Sequence, residues 1–190
     1  MNERWNLPMS IELSGMEYAI RTDYRAILDI FTAIADKELT EQEKTEVMLK
    51  ILYIDWQEIS SDDLQEALQK GKEFIDCGIS GESRKGPALM DWEKDSPIIA
   101  PAINKTMGKD VRSARYIHWW TFMAAYLEIS DCLFSQVVAI RQKKAKKKKL
   151  EKWEEEFYKN NRKLIDLQPQ PTRPKEELDA LNELFGNWKR

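Results

Sequence analysis

Histidine, cysteine, glycine and proline are scarce in this 190-residue chain, and each shortage excludes a class of protein or of structure. The single histidine, His118, excludes most zinc sites and most histidine-based catalysis. The two cysteines, Cys77 and Cys132, are far apart in sequence and have no metal-binding spacing. They indicate small buried thiols in a reducing compartment rather than a disulfide. Only seven glycines and seven prolines favour long helices with few turns.

Long hydrophobic runs are also absent. No apolar stretch approaches the roughly 20 residues that a helix needs to cross a bilayer. The first residues, 1–5, lack the basic-then-apolar order of a signal peptide. We therefore expect a protein that stays in the cytoplasm and has no contact with membranes.

Charge is plentiful but unevenly divided. Hydrophobic residues make up 42% of the chain and charged residues 33%, which is typical of a globular helical protein. The net charge of −3 combines about +6 in residues 141–190 with about −9 in residues 1–140. An acidic body therefore carries a basic tail.

The most informative segment is residues 116–127, here called the aromatic hub, which is apolar on almost every helical face. A segment of this kind must be covered on all sides, so it predicts the centre of a helical core. We expect its helix to begin at about residue 112, and we interpret His118 as a hydrogen-bonded core histidine. The predicted structural core residues are Ile117, Trp119, Trp120 and Phe122.

The N-terminal third predicts a β-hairpin followed by amphipathic helices. Alternating apolar residues on both sides of Ser14-Gly15 indicate the hairpin. Asp23 offers an N-cap for a helix that ends near Asp36, and Thr40-Glu41-Gln42-Glu43 is a capping box. Pro97 and Pro101 predict that the helix around them is kinked or short.

We predict a mostly α protein with four parts. Residues 1–141 form a single helical-bundle domain with a small N-terminal hairpin, and residues 142–167 form an extended Lys/Glu-rich helix. Residues 168–174 form a proline-rich arm, and residues 175–190 form a short amphipathic helix that docks either on its own body or on another chain.

Two surfaces in the C-terminal parts are candidate binding sites. The first is a partner-binding set of apolar residues at helical spacing: Trp153, Phe157, Leu164, Leu178, Leu181, Phe185 and Trp188. The second is a basic patch: Lys143, Lys144, Lys146, Lys147, Lys148 and Lys149. Nucleic acid is the obvious ligand for such a patch, but the acidic body and the glutamates at 151 and 154–156 disfavour phosphate. We therefore interpret the lysines as a solvated helix face.

The residue pattern favours protein binding over catalysis. No Ser/His/Asp, Cys/His, phosphate-loop or Cys-x-x-Cys arrangement is present, so we expect no enzyme activity, no cofactor and no metal. Seven tryptophans exceed what packing requires, and Trp92 and Trp153 are among those near predicted ends, loops or seams. Aromatic residues in such places are enriched at protein interfaces.

Several segments together resemble a known phage family. These are Asp91–Asp95, Met107–Val111, Ile117–Phe122 and Phe134–Arg141, preceded by the hairpin and Thr22-Asp23-Tyr24-Arg25. The chain resembles the "gene product fifteen" family, whose genes lie in the tail module of long-tailed phages and prophages of Gram-positive bacteria. The most specific part of the resemblance is the His-Trp-Trp-x-Phe core of the aromatic hub.

The resemblance implies a tail assembly chaperone. Such a protein is expected to bind the tape measure protein, keep it soluble, recruit tail-tube subunits and associate with itself. It would act in the host bacterial cytoplasm and be absent from the mature virion. Two alternatives stay open: a nucleic-acid-associated phage protein that uses Lys143–Lys149, and a structural tail or neck component that remains in the particle.

Overall fold

A computed structural model describes residues 5–78 and 87–167 of the chain. The fold is mostly helical, with a small antiparallel hairpin at its N-terminal end, as predicted. The elements are β1 (Ser10–Leu13), β2 (Met16–Ala19), α1 (Tyr24–Ala35), α2 (Glu41–Leu52), a 3₁₀ turn (Trp56–Glu58), α3 (Leu64–Ile75), α4 (Ser96–Met107), α5 (Trp119–Leu127), α6 (Leu133–Ala145), α7 (Lys152–Asn160) and α8 (Arg162–Ile165). The predicted parts at 168–174 and 175–190 lie outside the described residues.

The hairpin and the first helices begin where the local sequence indicates. Strand β1 pairs with β2 across Ser14-Gly15, both of which have positive φ. The Asp23 carboxylate accepts a hydrogen bond from the Arg25 backbone N–H and caps α1. Thr40 and Glu43 form the predicted reciprocal capping box of α2.

The helices enclose one main core and one smaller cluster. The main core joins the hairpin to α1–α6 and contains fully buried residues such as Ile27, Leu52 and Trp119. The smaller cluster consists of Val137, Ile140 and Ile165, and it holds α8 against α6. None of the helices within the described ranges is long and apolar enough to cross a membrane.

The prediction that the hub helix begins near residue 112 is wrong. Helix α5 begins only at Trp119, because His118 is its N-cap and residue 117 takes part in an extended contact. The Tyr24 backbone N–H donates to the Ile117 carbonyl, and the Trp119 N–H donates to the Thr22 carbonyl. Pairing with the segment before α1 therefore replaces the first turns of the predicted helix.

The prediction of one extended helix over residues 142–167 is also wrong, because a turn divides this region into separate helices. Helix α6 ends at Ala145, and Lys147 takes a left-handed conformation with φ of 52°. The Lys148 N–H donates to the Lys143 carbonyl, and the Lys147 N–H to the Lys144 carbonyl, which is a Schellman ending without glycine. The chain then reverses, so that α7 and α8 pack beside α6.

Helix α4 is longer than its two prolines predict. Asp95 is its N-cap, Pro97 lies in the first turn, and the helix continues through Pro101 to Met107. Pro101 is exposed, so its ring lies on the solvent side of the helix. Gly108 ends the helix in the left-handed conformation with φ of 67°.

Candidate protein-interaction groove

One face of the aromatic hub lies in the interior, but the expectation that the segment is covered on all sides is wrong, because Tyr116 and Leu127 are 49% and 60% exposed. Trp119 is fully buried, and Ile117 and Phe122 are each 3% exposed. The Trp119 indole N–H donates to the Ile75 carbonyl at 2.8 Å, and the Trp120 indole N–H donates to the Phe74 carbonyl at 2.9 Å. These carbonyls belong to the last turn of α3, where backbone acceptors lack the regular helical partner, and the Phe74 carbonyl also accepts from the Cys77 N–H. The paired tryptophans thus pack the core and cap α3 at the same time.

His118 is a structural residue with both ring nitrogens engaged. The side chain is 3% exposed. Its Nδ1 accepts a hydrogen bond from the Trp120 backbone N–H at 3.0 Å, which leaves Nε2 to donate to the Pro8 carbonyl at 2.9 Å. The interpretation as a hydrogen-bonded core histidine is confirmed.

A buried ion pair connects α4 to α6 and to the end of α8. The Arg141 guanidinium donates to both carboxylate oxygens of Asp95, at 2.6 and 2.9 Å. Its remaining N–H groups donate to the carbonyls of Leu89, Leu164 and Ile165. All five donors of the guanidinium are therefore satisfied, which is what burial of such a group requires.

The sequence gave no reason to pair these two residues, although both belong to segments that carry the family resemblance. Asp95 closes the segment Asp91–Asp95, and Arg141 closes the segment Phe134–Arg141. The available signal was a charged residue at the end of each otherwise recognisable segment. Their separation of 46 residues hides the contact from any local pattern.

Two pockets that share Trp92 lie along α1, and we call them together the α1 groove. The first has a volume of about 300 Å³ and lies between α1, α4 and α5, and the second has a volume of about 260 Å³ and lies between α1 and residues 88–93. Trp92 lines both pockets. The apolar lining is Tyr24, Leu28, Phe31, Ile34, Ala35, Ala88, Met90, Trp92, Ile99, Ala100, Ile103, Val111 and Phe122.

Polar residues also line the two pockets of the α1 groove. Arg25, Asp29, Ser96 and Arg112 line the first pocket, and Thr32, Asp91 and Glu93 line the second. The Trp92 ring packs against other aromatic rings, 4.9 Å from Tyr126 and 6.0 Å from Phe31, centroid to centroid. A mostly apolar lining with a few charged residues is suited to binding the apolar face of a helix.

Sequence reasoning missed the α1 groove as a surface, although it placed Trp92 near an interface. The signal was in α1 itself, where apolar residues occupy more than one face. Ile27 and Ile30 are fully buried in the core, while Ile34 is 43% exposed and lies in the groove. A helix with an apolar stripe wider than its core contact has surface left for a second partner.

The predicted partner-binding residues are only partly within the described chain. Phe157 and Leu164 are half-buried and pack on the small cluster of Val137, Ile140 and Ile165. Trp153 is 55% exposed. Leu178, Leu181, Phe185 and Trp188 lie outside the described residues.

Two lysines of the predicted basic patch are neutralised by carboxylates. The Lys143 ammonium donates to both oxygens of Glu154 at 2.7 and 2.8 Å, and this bond lowers the pKa of Glu154. The Lys144 ammonium pairs with Asp166 and lowers the pKa of that carboxyl below its ordinary value. The four lysines at 146–149 are exposed. The patch is therefore a short exposed turn rather than a continuous basic helix face.

The described residues offer no obvious site for a metal or a reactive thiol. Within residues 5–78 and 87–167, histidine, cysteine, aspartate and glutamate form no group that could hold a metal ion. Cys77 and Cys132 are both free and half-buried. Burial raises the pKa of the Cys77 thiol to about 11, so this thiol is protonated at neutral pH.

Comparison with known proteins gives one family. The family model described as bacteriophage Gp15 protein matches residues 4–167, which is most of the chain. No curated protein and no solved structure shows significant similarity to this chain. The match includes the aromatic hub, the Asp95–Arg141 pair and both walls of the α1 groove, and it confirms the predicted relationship. The chain is a phage protein and belongs to the bacteriophage Gp15 family.

Proposed function

We propose that this protein is a tail assembly chaperone without catalytic activity, which binds the tape measure protein and keeps it soluble before the tail is complete. The observation that carries the proposal is the α1 groove, an apolar surface on an otherwise highly charged protein. Membership of a phage family supports the same conclusion.

A groove of this shape is suited to binding the apolar stripe along one face of a helical partner. The α1 wall extends from Tyr24 to Ala35, which is about 16 Å at 1.5 Å per residue. That length accommodates apolar anchors at i, i+3, i+7 and i+10 of a bound helix. A long helical tape measure protein exposes such stripes repeatedly, and each exposed stripe is a site for aggregation unless it is covered.

The charged body supports a chaperone role in a second way. A chain that covers apolar helices must itself stay soluble, and a body with net charge of about −9 resists self-aggregation. Recruitment of tail-tube subunits would use exposed apolar residues away from the groove, such as Trp153. The protein would act in the host cytoplasm and leave before the virion matures.

The absence of catalysis is part of the proposal. His118 is buried with both nitrogens hydrogen-bonded, and Cys77 is protonated at neutral pH. The charged residues Asp95 and Arg141 satisfy each other in the interior. The most distinctive polar groups of the described chain thus have structural partners.

Co-expression with the tape measure protein from the same tail module tests the proposal. We expect the tape measure protein to be insoluble alone, and to become soluble and co-purify when this chain is present. Continued insolubility in the presence of this folded chain would contradict the proposal. Mass spectrometry of purified virions tests the structural alternative, because abundance of this chain in the particle would favour a tail or neck component.

A further inference from the structure

The described chain ends beside the α1 groove. Arg141 donates hydrogen bonds to the carbonyls of Leu164 and Ile165, and the same guanidinium donates to the Leu89 carbonyl. Leu89 lies between Ala88 and Met90, which line the second pocket of the groove. The end of α8 is therefore separated from the margin of the groove by little more than one guanidinium group.

The remaining C-terminal chain has the length to reach every part of the groove. Residues 168–174 contain three prolines, and an extended proline-rich stretch of seven residues spans about 22 Å at 3.1 Å per residue. The α1 wall is about 16 Å long. Residue 175 can therefore lie at either end of the groove while the chain stays continuous with α8.

The segment after the linker matches the groove in length and in spacing. Its sequence predicts an amphipathic helix with Leu178, Leu181, Phe185 and Trp188 on one face. These residues follow the spacing i, i+3, i+7 and i+10, and they span about 15 Å in a helix. The apolar stripe of the segment and the apolar wall of α1 are thus of nearly equal length.

Charge favours one direction for the segment. Arg25 and Arg112 line the groove where α1 begins; Arg25 also pairs with Asp23, and Arg112 donates one hydrogen bond to the Ser96 carbonyl. The first half of the segment is acidic, with Glu176, Glu177 and Asp179 before or beside its first leucine. We expect this half to lie near the two arginines.

The opposite end of the segment has the opposite charge. Lys189 and Arg190 directly follow the segment. At the other end of the groove, Glu93 borders the second pocket and is exposed. The charges at the two ends therefore predict the direction of the helix. Its first turn lies near the start of α1, and its last turn lies near Glu93.

We propose that residues 175–188 of this chain occupy the α1 groove in cis as an amphipathic helix. The segment covers the apolar floor around Trp92 while no partner is bound. Its effect on partner binding rests on the proposed function: a helix of the tape measure protein would have to displace the segment, which lowers the apparent affinity of the groove. The occupation itself does not depend on that function.

A paramagnetic label on the full-length chain tests the occupation directly. The label is attached to Asn187→Cys in a chain that also carries Cys77→Ala and Cys132→Ser. Methyl signals of Ile34, which lies in the groove, are compared with those of Ile54, an exposed isoleucine outside it. We expect the label to broaden the Ile34 signal and to leave the Ile54 signal sharp.

A matched pair of tail variants controls for the apolar contact. Phe185→Asp places a charge on the apolar face of the predicted helix, and Ala180→Asp adds the same charge away from that face. We expect Phe185→Asp to abolish the broadening of Ile34 and Ala180→Asp to retain it. The methyl spectrum of each variant reports on whether the fold is retained.

Three results would overturn the proposal. A sharp Ile34 signal in the labelled wild-type tail would show that the groove is empty. Equal broadening of Ile34 and Ile54 would show that the segment has no specific site. Broadening only in mixtures in which the label and the isotope are on different chains would assign the groove to a second copy. None of these results involves the tape measure protein, so the proposed chaperone function would be tested separately.

Discussion

At the scale of single residues, Arg141 joins three parts of the chain through one guanidinium group. Its partners are the Asp95 carboxylate and the carbonyls of Leu89, Leu164 and Ile165. The charges are almost completely removed from water, with 6% and 2% of the two side chains exposed. Such a pair stabilises the fold only while both members are present, because a lone buried charge has no compensation.

Removal of one member should therefore be costly. We predict that Asp95→Ala lowers the free energy of unfolding by about 3 kcal/mol or more, because Arg141 would remain buried without its counter-ion. Urea denaturation followed by tryptophan fluorescence measures the loss. Glu41→Gln is the control, since it breaks the ion pair of Lys44 with a 90% exposed carboxylate and should cost less than about 1 kcal/mol. Equal effects of the two variants would contradict the buried-pair interpretation.

Cys77 gives a second prediction at this scale. Burial raises the pKa of its thiol to about 11, and the thiolate is the species that alkylating reagents attack. We predict that iodoacetamide at pH 8 modifies Cys77 much more slowly in the folded chain than in urea, as measured by mass spectrometry. Equal rates in the two conditions would show that the fold neither protects the thiol from the reagent nor raises its pKa.

At the scale of elements, the sequence predicts where a helix or strand begins when that start depends on neighbouring residues. It fails where contacts with distant residues set the start. The hairpin, α1 and α2 begin at the predicted positions, because Ser14-Gly15, Asp23 and Thr40 act within a few residues of their own backbone. The start of α5 depends on pairing between Thr22 and Trp119, almost a hundred residues apart. No local pattern contains that information.

The break between α6 and α7 has the same kind of cause. Lysine-rich sequence favours a continuous helix, so the pattern of residues 142–167 predicts one. The reversal brings Ile165 onto Val137 and Ile140 and lets Arg141 reach two carbonyls of α8. These contacts compensate for the left-handed conformation of Lys147, which costs a non-glycine residue roughly 1–2 kcal/mol.

Glu154 should hold this reversed hairpin in a pH-dependent way. Its pKa is lowered in the folded chain, first by the hydrogen bond from Lys143 and then by that from the Glu151 backbone N–H. The stabilisation is therefore complete above the unfolded pKa of about 4.3, and it is lost as the pH falls through the lower folded value. We predict that Glu154→Gln reduces stability by about 1 kcal/mol at pH 7 and that the difference shrinks below about pH 4.

Chemical denaturation at a series of pH values measures this difference. Glu155→Gln is the matched control, because Glu155 is the exposed neighbour on the same helix and has no ion pair among those of the described chain. The control should behave like the wild type at every pH. A difference between Glu154→Gln and the wild type that did not change with pH would contradict the role assigned to the charge.

At the scale of the whole molecule, composition and the aromatic hub predict the fold class and the family, but not the α1 groove. A groove needs two walls, and here α1 supplies one while α4 and residues 88–93 supply the other. The relative placement of these segments follows from packing around Trp92 and Phe122, which no helical period describes. The family resemblance suggested a binding role, and the structure locates a surface suited to it.

The basic turn at residues 146–149 gives the alternative hypothesis a clear test. Nucleic-acid binding through these lysines would weaken steeply with salt and with their replacement by glutamine. We predict that the chain with all four lysines replaced still solubilises the tape measure protein, and that a DNA or RNA shift assay detects no salt-sensitive complex with the wild type. A salt-sensitive complex that disappears in the replaced chain would favour the nucleic-acid function.

The most direct measurement is calorimetric titration of a purified helical segment of the tape measure protein into three full-length chains. These are the wild type, Ile34→Glu and Ile54→Glu, which place the same charge at two isoleucines of similar exposure, 43% and 45%. We predict that Ile34→Glu weakens binding at least tenfold, which is about 1.4 kcal/mol, and that Ile54→Glu binds like the wild type. Equal binding by all three chains would contradict the assignment of the α1 groove as the site for a helical partner.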